Sequence, residues 1–426
     1  MRGAWAAATS RSGVDPEARV AALLYGLVFV AAVAQTAIVP LLPGLAAANR
    51  LSTAATAALV AAPGATTLAV SIPAGMVADR LGARRVTLAA GALMAVAVLA
   101  QAVPGYAWLL GGRLAFGVAY GVVWTTAVAW IAHAGDGAAP RRQATTVTSA
   151  AVGIAAGPAV GALVAAHGGL GAPFIASGLA AAALTAGLAV ASAGRPAAAR
   201  APDTRSATGP QPSDGDVAPR VPAAAHVLAR IAHRGRSARG LAAGALAIAI
   251  SGATNSVLQL LVPLQLHRAG ASAATIGLAF SCAAALYIAV SAVVVRLGRR
   301  AVTSRTNALA ALLLALALLP AGSIGTAAAV VVTLMLAVAP RATVSTIAYP
   351  LATGDAARTG LGQGAAVGLL NGAWAVGMLA APLGAGALAH WAGMRVAWLT
   401  TLSLGALAAA WLLARERRPA TAPATR

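Results

Sequence analysis

Two arginines, Arg113 in "GGRLAFG" and Arg341 in "VAPRATV", stand inside stretches built almost wholly of Ala, Val, Leu and Gly. A guanidinium keeps its charge in nearly any surroundings, so in an apolar environment it must meet carbonyl oxygens, water or an anion. Each is therefore a candidate for holding a solute or coupling its movement, with a tie to backbone carbonyls as the plainer alternative. Ser251, Asn255 and Gln259 recur every four residues and so share one helix face. A buried amide costs free energy unless it is paired, so this face should meet water, a solute or a neighbouring helix. Gln35 (beside Thr36), Trp124, Asn371 and Trp374 are further polar or amphipathic side chains in apolar runs, and they complete the candidate set for a small-molecule cavity.

Other chemistries lack their residues. No apolar run carries paired carboxylates, a metal-ligating cluster or a nucleophile beside a base, so no enzyme is expected and no metal site is assigned. Cys282 is the only cysteine, which excludes an internal disulfide and a cysteine-based metal cluster. There is no Gly-x-x-x-x-Gly-Lys loop and no lysine at all, so nothing supports an ATP-driven pump. The net charge of +21 comes entirely from arginine, set in short segments between apolar runs, and nucleic acid is not an expected partner.

These side chains must be positioned by membrane-spanning helices. Of the 426 residues, 60% are hydrophobic and 9% charged, far from the roughly 25% charged residues of soluble domains. Apolar runs recur at the length of about 20 residues that crosses a hydrocarbon core. Charges and Pro/Gly breaks predict twelve spans, at 20–42, 53–75, 86–103, 106–133, 144–166, 171–193, 240–266, 271–295, 301–320, 325–350, 362–390 and 393–414. The runs are too long and uniform for barrel strands of about ten alternating residues. The first is longer than the core of a signal peptide, about 7–15 residues, and reads as a span. The expected fold class is an all-α membrane protein of two six-helix bundles, 1–193 and 240–426. Between them, 194–239 is rich in Pro, Arg, Asp and Ser and reads as a flexible cytoplasmic linker. Within it, "AAAHVLARIAHRGR" has the pattern of an amphipathic surface helix.

Arginine bias orients the spans. With the N-terminus inside, the inner segments hold 25 of the 30 arginines and all nine acids. The outer loops hold only Arg50, Arg268 and Arg395. Both termini are expected in the cytoplasm and the protein in the cell membrane, in contact with lipid and as a monomer. The two sets of spans also echo each other. "VGIAAGPAVGALVAAHGG" (152–169) aligns with "VGMLAAPLGAGALAHWAG" (376–393), matching Gly153 and Pro158 to Gly377 and Pro382. "RLGARRV" at 80–86 matches "RLGRRAV" at 296–302. Two parallel six-span repeats suggest a transporter whose site lies between the halves.

On these motifs the chain resembles the major facilitator superfamily over essentially its full length. "GMVADRLGARR" is similar to the family's loop signature between spans two and three through Gly75, Asp79, Arg80, Gly82, Arg84 and Arg85, with Ala83 where a base is common. "RLAFG" resembles the Arg-x-x-x-Gly element of span four. "GIAAGPAVGA" resembles the Gly-Pro signature of exporters and proton antiporters through Gly153, Gly157, Pro158 and Gly161, with one glycine of the closing pair absent. The resemblance implies twelve spans, a cavity lined by spans one, four, seven and ten, and a latch at the Asp79 loop that joins the halves against the start of span eleven, "TGLGQG" (Thr359–Gly364). Asp79 suits a latch because a carboxylate accepts hydrogen bonds from arginine and faces the positive end of a helix. Ordinary inner-loop topology explains the three arginines but not Asp79, Gly75 and Gly82.

The implied activity is secondary export of small molecules by alternating access, driven by the proton gradient and without a cofactor. Import on the same fold is the alternative, and a non-transporting membrane sensor is another. No Asp or Glu lies within a span, so nothing there would pair a strongly cationic compound. The expected substrates are neutral, apolar or weakly anionic.

Overall fold

The computed structural model describes residues 16–132, 139–193, 239–298, 302–359 and 363–417. Twelve helical spans among them are long and apolar enough to cross a membrane. Span one is broken: a helix Pro16–Ala37, a tight turn Val39–Leu41 and a short helix Leu42–Ala48. The breaks coincide with Pro40 and Pro43, which lack the N–H that helix continuation needs. Spans two to six are Thr53–Leu81, Ala83–Ala100, Tyr106–Ala132, Ala139–Gly168 and Ala172–Ala191. Spans seven and eight are Arg239–Arg268 and Ala273–Leu297. Span nine divides into Ser304–Leu316 and Leu319–Ser323 beside Pro320, and span ten into Ala327–Leu336 and Val338–Thr359 beside Pro340. Spans eleven and twelve are Gln363–Trp391 and Met394–Arg417. The expected inter-bundle linker and its amphipathic segment lie outside the described residues.

Short connections make neighbouring spans antiparallel. The turns carrying Arg50, Arg268 and Arg395 therefore gather on one face, called here the Arg-poor face, and those carrying Arg84, Arg142 and Arg296 on the other. The internal repeat is visible in how equivalent spans begin and end. Ser52 caps span two by accepting from the Ala55 N–H at 3.1 Å, and Ser272 caps span eight by accepting from the Thr275 N–H at the same distance. Both spans then end on a glycine at positive φ, Gly82 (φ 87°) and Gly298 (φ 59°). A residue with a Cβ is strained there, which explains why each "RLG" turn ends on glycine.

Packing repeats in the same way. Lipid supplies no hydrophobic drive between helices, so close approach at small residues must hold them together. A Cβ at Gly153 would lie 2.6 Å from the Phe29 carbonyl oxygen, so this glycine lets span five touch span one. Its repeat partner Gly377 does the same for spans eleven and seven, with a Cβ position 2.3 Å from the Ala249 oxygen. In span four, Gly117 seats against Pro63 and Thr66 of span two, and its carbonyl accepts from the Thr67 hydroxyl at 2.8 Å.

The bundles meet from the Arg-poor face to mid-depth. Gly386 of span eleven rests on Ala57 and Thr53 of span two, and Gly64 of span two rests on Met378. Gly277 of span eight abuts Pro158 and Ala162 of span five, and the Ala159 N–H lies 3.1 Å from the Ser281 hydroxyl.

Candidate functional site

A cavity of about 50 Å³ lies between the bundles, where spans one and five face spans seven, eight and ten. Its polar lining is Thr36, Asn255, Gln259 and Arg341, and the rest of its wall is apolar. Asn255 and Gln259 share the face expected from their spacing. Arg341, in the first turn of the second helix of span ten, reaches Asn255. Its Nη1 donates to the Asn255 Oδ1, and its guanidinium carbon sits 4.9 Å from the centre of the Tyr287 ring, in cation–π range. The result is one positive charge, spread over hydrogen bond and ring, at the wall of an otherwise apolar cavity. Such a volume has room for a few waters, so a solute of ordinary size requires the bundles to part.

The opposite wall is made by the Gly-Pro segment. Gly153, Gly157 and Gly161 all pack against span one, where Cβ positions would lie 2.6 Å from the Phe29 oxygen, 2.9 Å from the Val33 oxygen and 2.5 Å from the Ala37 oxygen. Pro158, one residue after the middle glycine, instead faces span eight and the cavity. Having no N–H, it leaves the carbonyl of Ile154, four residues earlier, without its helical donor. The Thr36 hydroxyl stands 3.3 Å from that oxygen and 3.1 Å from the Ala32 oxygen of its own helix. One hydroxyl thus has carbonyls of both helices within reach, Ala32 and Val33 of span one and Ile154 of span five, across their seam.

A sequence profile described as "Major Facilitator Superfamily" matches residues 24–365. The chain belongs to this superfamily. It is thus a secondary transporter by family, a class that is not enzymatic. No curated protein matches the sequence. Among solved structures, the fold is similar to a bacterial homologue of the human lysosomal transporter Spinster, inward-facing and occupied, with TM-score 0.74 and 14% identity over 95% of this chain and 98% of that one. It is also similar to a mutant form of the nucleoside transporter NupG, at TM-score 0.70 and 14% identity over 93% and 99%. A D-xylose–proton symporter matches at TM-score 0.67 and 16% identity over 93% and 96%. The likeness extends to symporters, so membership fixes the fold and the class of machine but not the direction of transport.

Within this superfamily architecture, the other candidate residues divide between framework and surface. Arg113 is 2% exposed. Its Nε donates to the Leu59 carbonyl of span two at 3.2 Å, and its guanidinium carbon lies 5.5 Å from the Phe116 ring. Its Nη1 is buried without a partner. Among the described residues, neither Arg113 nor any other residue of span four lines the central cavity. Spans five and eight line it instead, through Ile154, Pro158, Phe280, Ala283 and Ala284. Trp124 is exposed, and the neighbouring Thr126 hydroxyl is engaged with Thr87 at 2.7 Å. Gln35 is not part of the cavity lining, and its Oε1 is buried and unpartnered. Ser251 pairs with Ser345 at 3.3 Å. Asn371 accepts from the Tyr349 hydroxyl at 2.7 Å, and Trp374 is exposed while its backbone packs on Gly252.

Gly75 and Asp79 lie on the last turns of span two, with side-chain surroundings outside the described residues, as are residues 360–362 of the expected latch partner. Gly82 turns the chain at positive φ, Arg80 and Arg85 are exposed, and Arg84 is half-buried. Two aromatic residues of span eight complete the site without having stood out in the sequence: Phe280 in the lining and Tyr287 against Arg341. The signal that points to Tyr287 is rarity, since it is one of only five tyrosines and lies in the apolar run "ALYIAV".

Proposed function

We propose that this chain exports small molecules across the cell membrane by alternating access, exchanging them for protons. The observation that carries the reading is the cavity between the bundles, which both sets of spans line and which close contacts at Gly277–Pro158 separate from the Arg-poor face. A site between two repeats, shut toward one side, is what a rocking carrier needs. Export and antiport are what the resemblance of Gly153, Gly157, Pro158 and Gly161 to the Gly-Pro signature of exporters and proton antiporters implies.

In this reading both termini are cytoplasmic, since 25 of 30 arginines then lie on the inner side. The Gly75–Arg85 loop is the inner latch, engaged when the cavity opens outward and released when it opens inward. The carrier works as a monomer without a cofactor. Its substrates are neutral, apolar or weakly anionic, because the cavity holds a cation and no acid.

The test is flux of a compound panel in proteoliposomes under an imposed pH gradient, comparing wild type with Asp79→Asn and Arg113→Ala. Gradient-driven flux that Asp79→Asn impairs is expected. Flux indifferent to the gradient refutes antiport, and normal flux in Asp79→Asn refutes the latch.

A further inference from the structure

We infer that Arg341, held by Asn255 and Tyr287, receives the carboxylate of an amphipathic organic monoanion whose hydrocarbon part lies on the apolar wall of the central cavity. The inference rests on the transporter reading only in its flux arm, because the binding site stands on its own geometry.

The first ground is charge balance. Arg341 is a fixed positive charge in a membrane-spanning helix, and the cavity lining contains no acid. The sequence places none within reach: the nearest acid on its own helix is Asp355, fourteen residues on (355 − 341), or about 21 Å along the axis. Span one contributes Glu17 at its first turn, which lies 3.7 Å from Arg142, far from the cavity. Spans five, seven and eight carry no acid at all. A ring face and an amide oxygen disperse the guanidinium charge but do not neutralise it, and a charge so placed is costly without an anion.

The second ground is the polarity of the hydrogen bonds. Asn255 turns its only side-chain acceptor, Oδ1, to Arg341. What it has left is the amide NH2, a pure donor, beside the remaining guanidinium donors. A cavity pole made of donors selects an acceptor-only group. A carboxylate has two oxygens that match the fork of a guanidinium. One guanidinium balances one negative charge, hence a monoanion. The third ground is the rest of the lining: Leu258, Phe280, Leu334 and Val338 offer only hydrocarbon, which suits an aryl or alkyl body and not a sugar or a dianion.

The test uses the full chain in nanodiscs at constant ionic strength and an isosteric charge series: 2-naphthoate, 2-naphthamide and 2-naphthylmethylamine. Calorimetry should show naphthoate binding about tenfold or more tighter than the amide, with no binding of the amine. Arg341→Gln should bring acid and amide to the same affinity, and Arg341→Lys should restore part of the difference. Asn255→Asp supplies Arg341 with an internal counter-ion of nearly unchanged shape, so it should lose the acid preference even if Arg341→Gln does not fold. No detectable naphthoate binding, equal acid and amide affinity in wild type, or a preference that survives Asn255→Asp each overturns the inference. Naphthoate that binds but is not moved in proteoliposomes refutes export of such anions and leaves the site standing. Flux of neutral compounds at full rate in Asn255→Asp, with no acid preference in wild type, does the reverse.

Discussion

The Thr36 hydroxyl stands 3.3 Å from the Ile154 carbonyl oxygen, the acceptor that Pro158 deprives of its helical donor. A proline inside a spanning helix is tolerated where a neighbour supplies the missing hydrogen bond, and here the neighbour is span one. Thr36→Val keeps the shape and removes the donor. It should cost about 0.5–1.5 kcal/mol, the net worth of one intramolecular hydrogen bond, while Thr36→Ser should stay near wild type. Thermal unfolding of the detergent-solubilised protein reads the difference. A Thr36→Val variant as stable as wild type would show that Ile154 needs no partner.

The glycines of the two repeats make a paired prediction. Gly153→Ala would place a Cβ 2.6 Å from the Phe29 oxygen, and Gly377→Ala one 2.3 Å from the Ala249 oxygen. Both acceptors are backbone, so helices must separate, at a cost of about 1–3 kcal/mol each. Gly384 also lies in span eleven but has nothing within 4 Å of its Cβ position. Gly384→Ala should therefore be neutral or stabilising by up to about 1 kcal/mol through helix propensity. Melting curves for the three variants decide it: equal melting temperatures would remove the packing role assigned to the Gly-Pro segment.

The turns that close spans two and eight should respond alike. Gly82 and Gly298 have φ of 87° and 59°, and no atom lies within 4 Å of either Cβ position. The cost of Gly82→Ala or Gly298→Ala is thus conformational rather than steric, about 1–3 kcal/mol. Gly→Asn at the same positions should fare no better, since ψ values of 133° and −139° put both turns outside the left-handed helical region that Asn visits. Asparagine variants clearly more stable than alanine variants in unfolding experiments would contradict that assignment.

The spans are legible in the sequence because hydrophobic run length, caps and arginine bias act along the chain. Span two, expected at 53–75, begins at Thr53, capped by Ser52. Span five starts five residues earlier than expected, at Ala139 rather than 144, because helices extend past the hydrocarbon core. The cavity is only half legible. Asn255, Gln259 and Arg341 line it, but Gln35, Trp124 and Arg113 do not, and Tyr287 comes from a span the resemblance did not select. The reason is physical. In a soluble helix an apolar stripe fixes which face turns inward, whereas here the lipid-facing and helix-facing sides are both apolar. Rotation is then set by close contacts such as Gly153 on Phe29, which depend on a partner helix that sequence periodicity does not identify.

Arg113 tests how far burial and function separate. It has one bond to the Leu59 carbonyl and a ring contact with Phe116, while its Nη1 is buried and unpartnered. Removing it by Arg113→Met forfeits a charge-assisted hydrogen bond worth about 1.5–3 kcal/mol. It also removes an uncompensated buried charge whose desolvation costs several kcal/mol. The second effect matches or exceeds the first, so the melting temperature should hold or rise. If Arg113 takes part in transport, as the resemblance of its Arg-x-x-x-Gly element implies, Arg113→Met should lose most of its flux in proteoliposomes. Paired melting and flux measurements separate the two roles. A fall in melting temperature with flux preserved would make Arg113 a strut between spans two and four and nothing more.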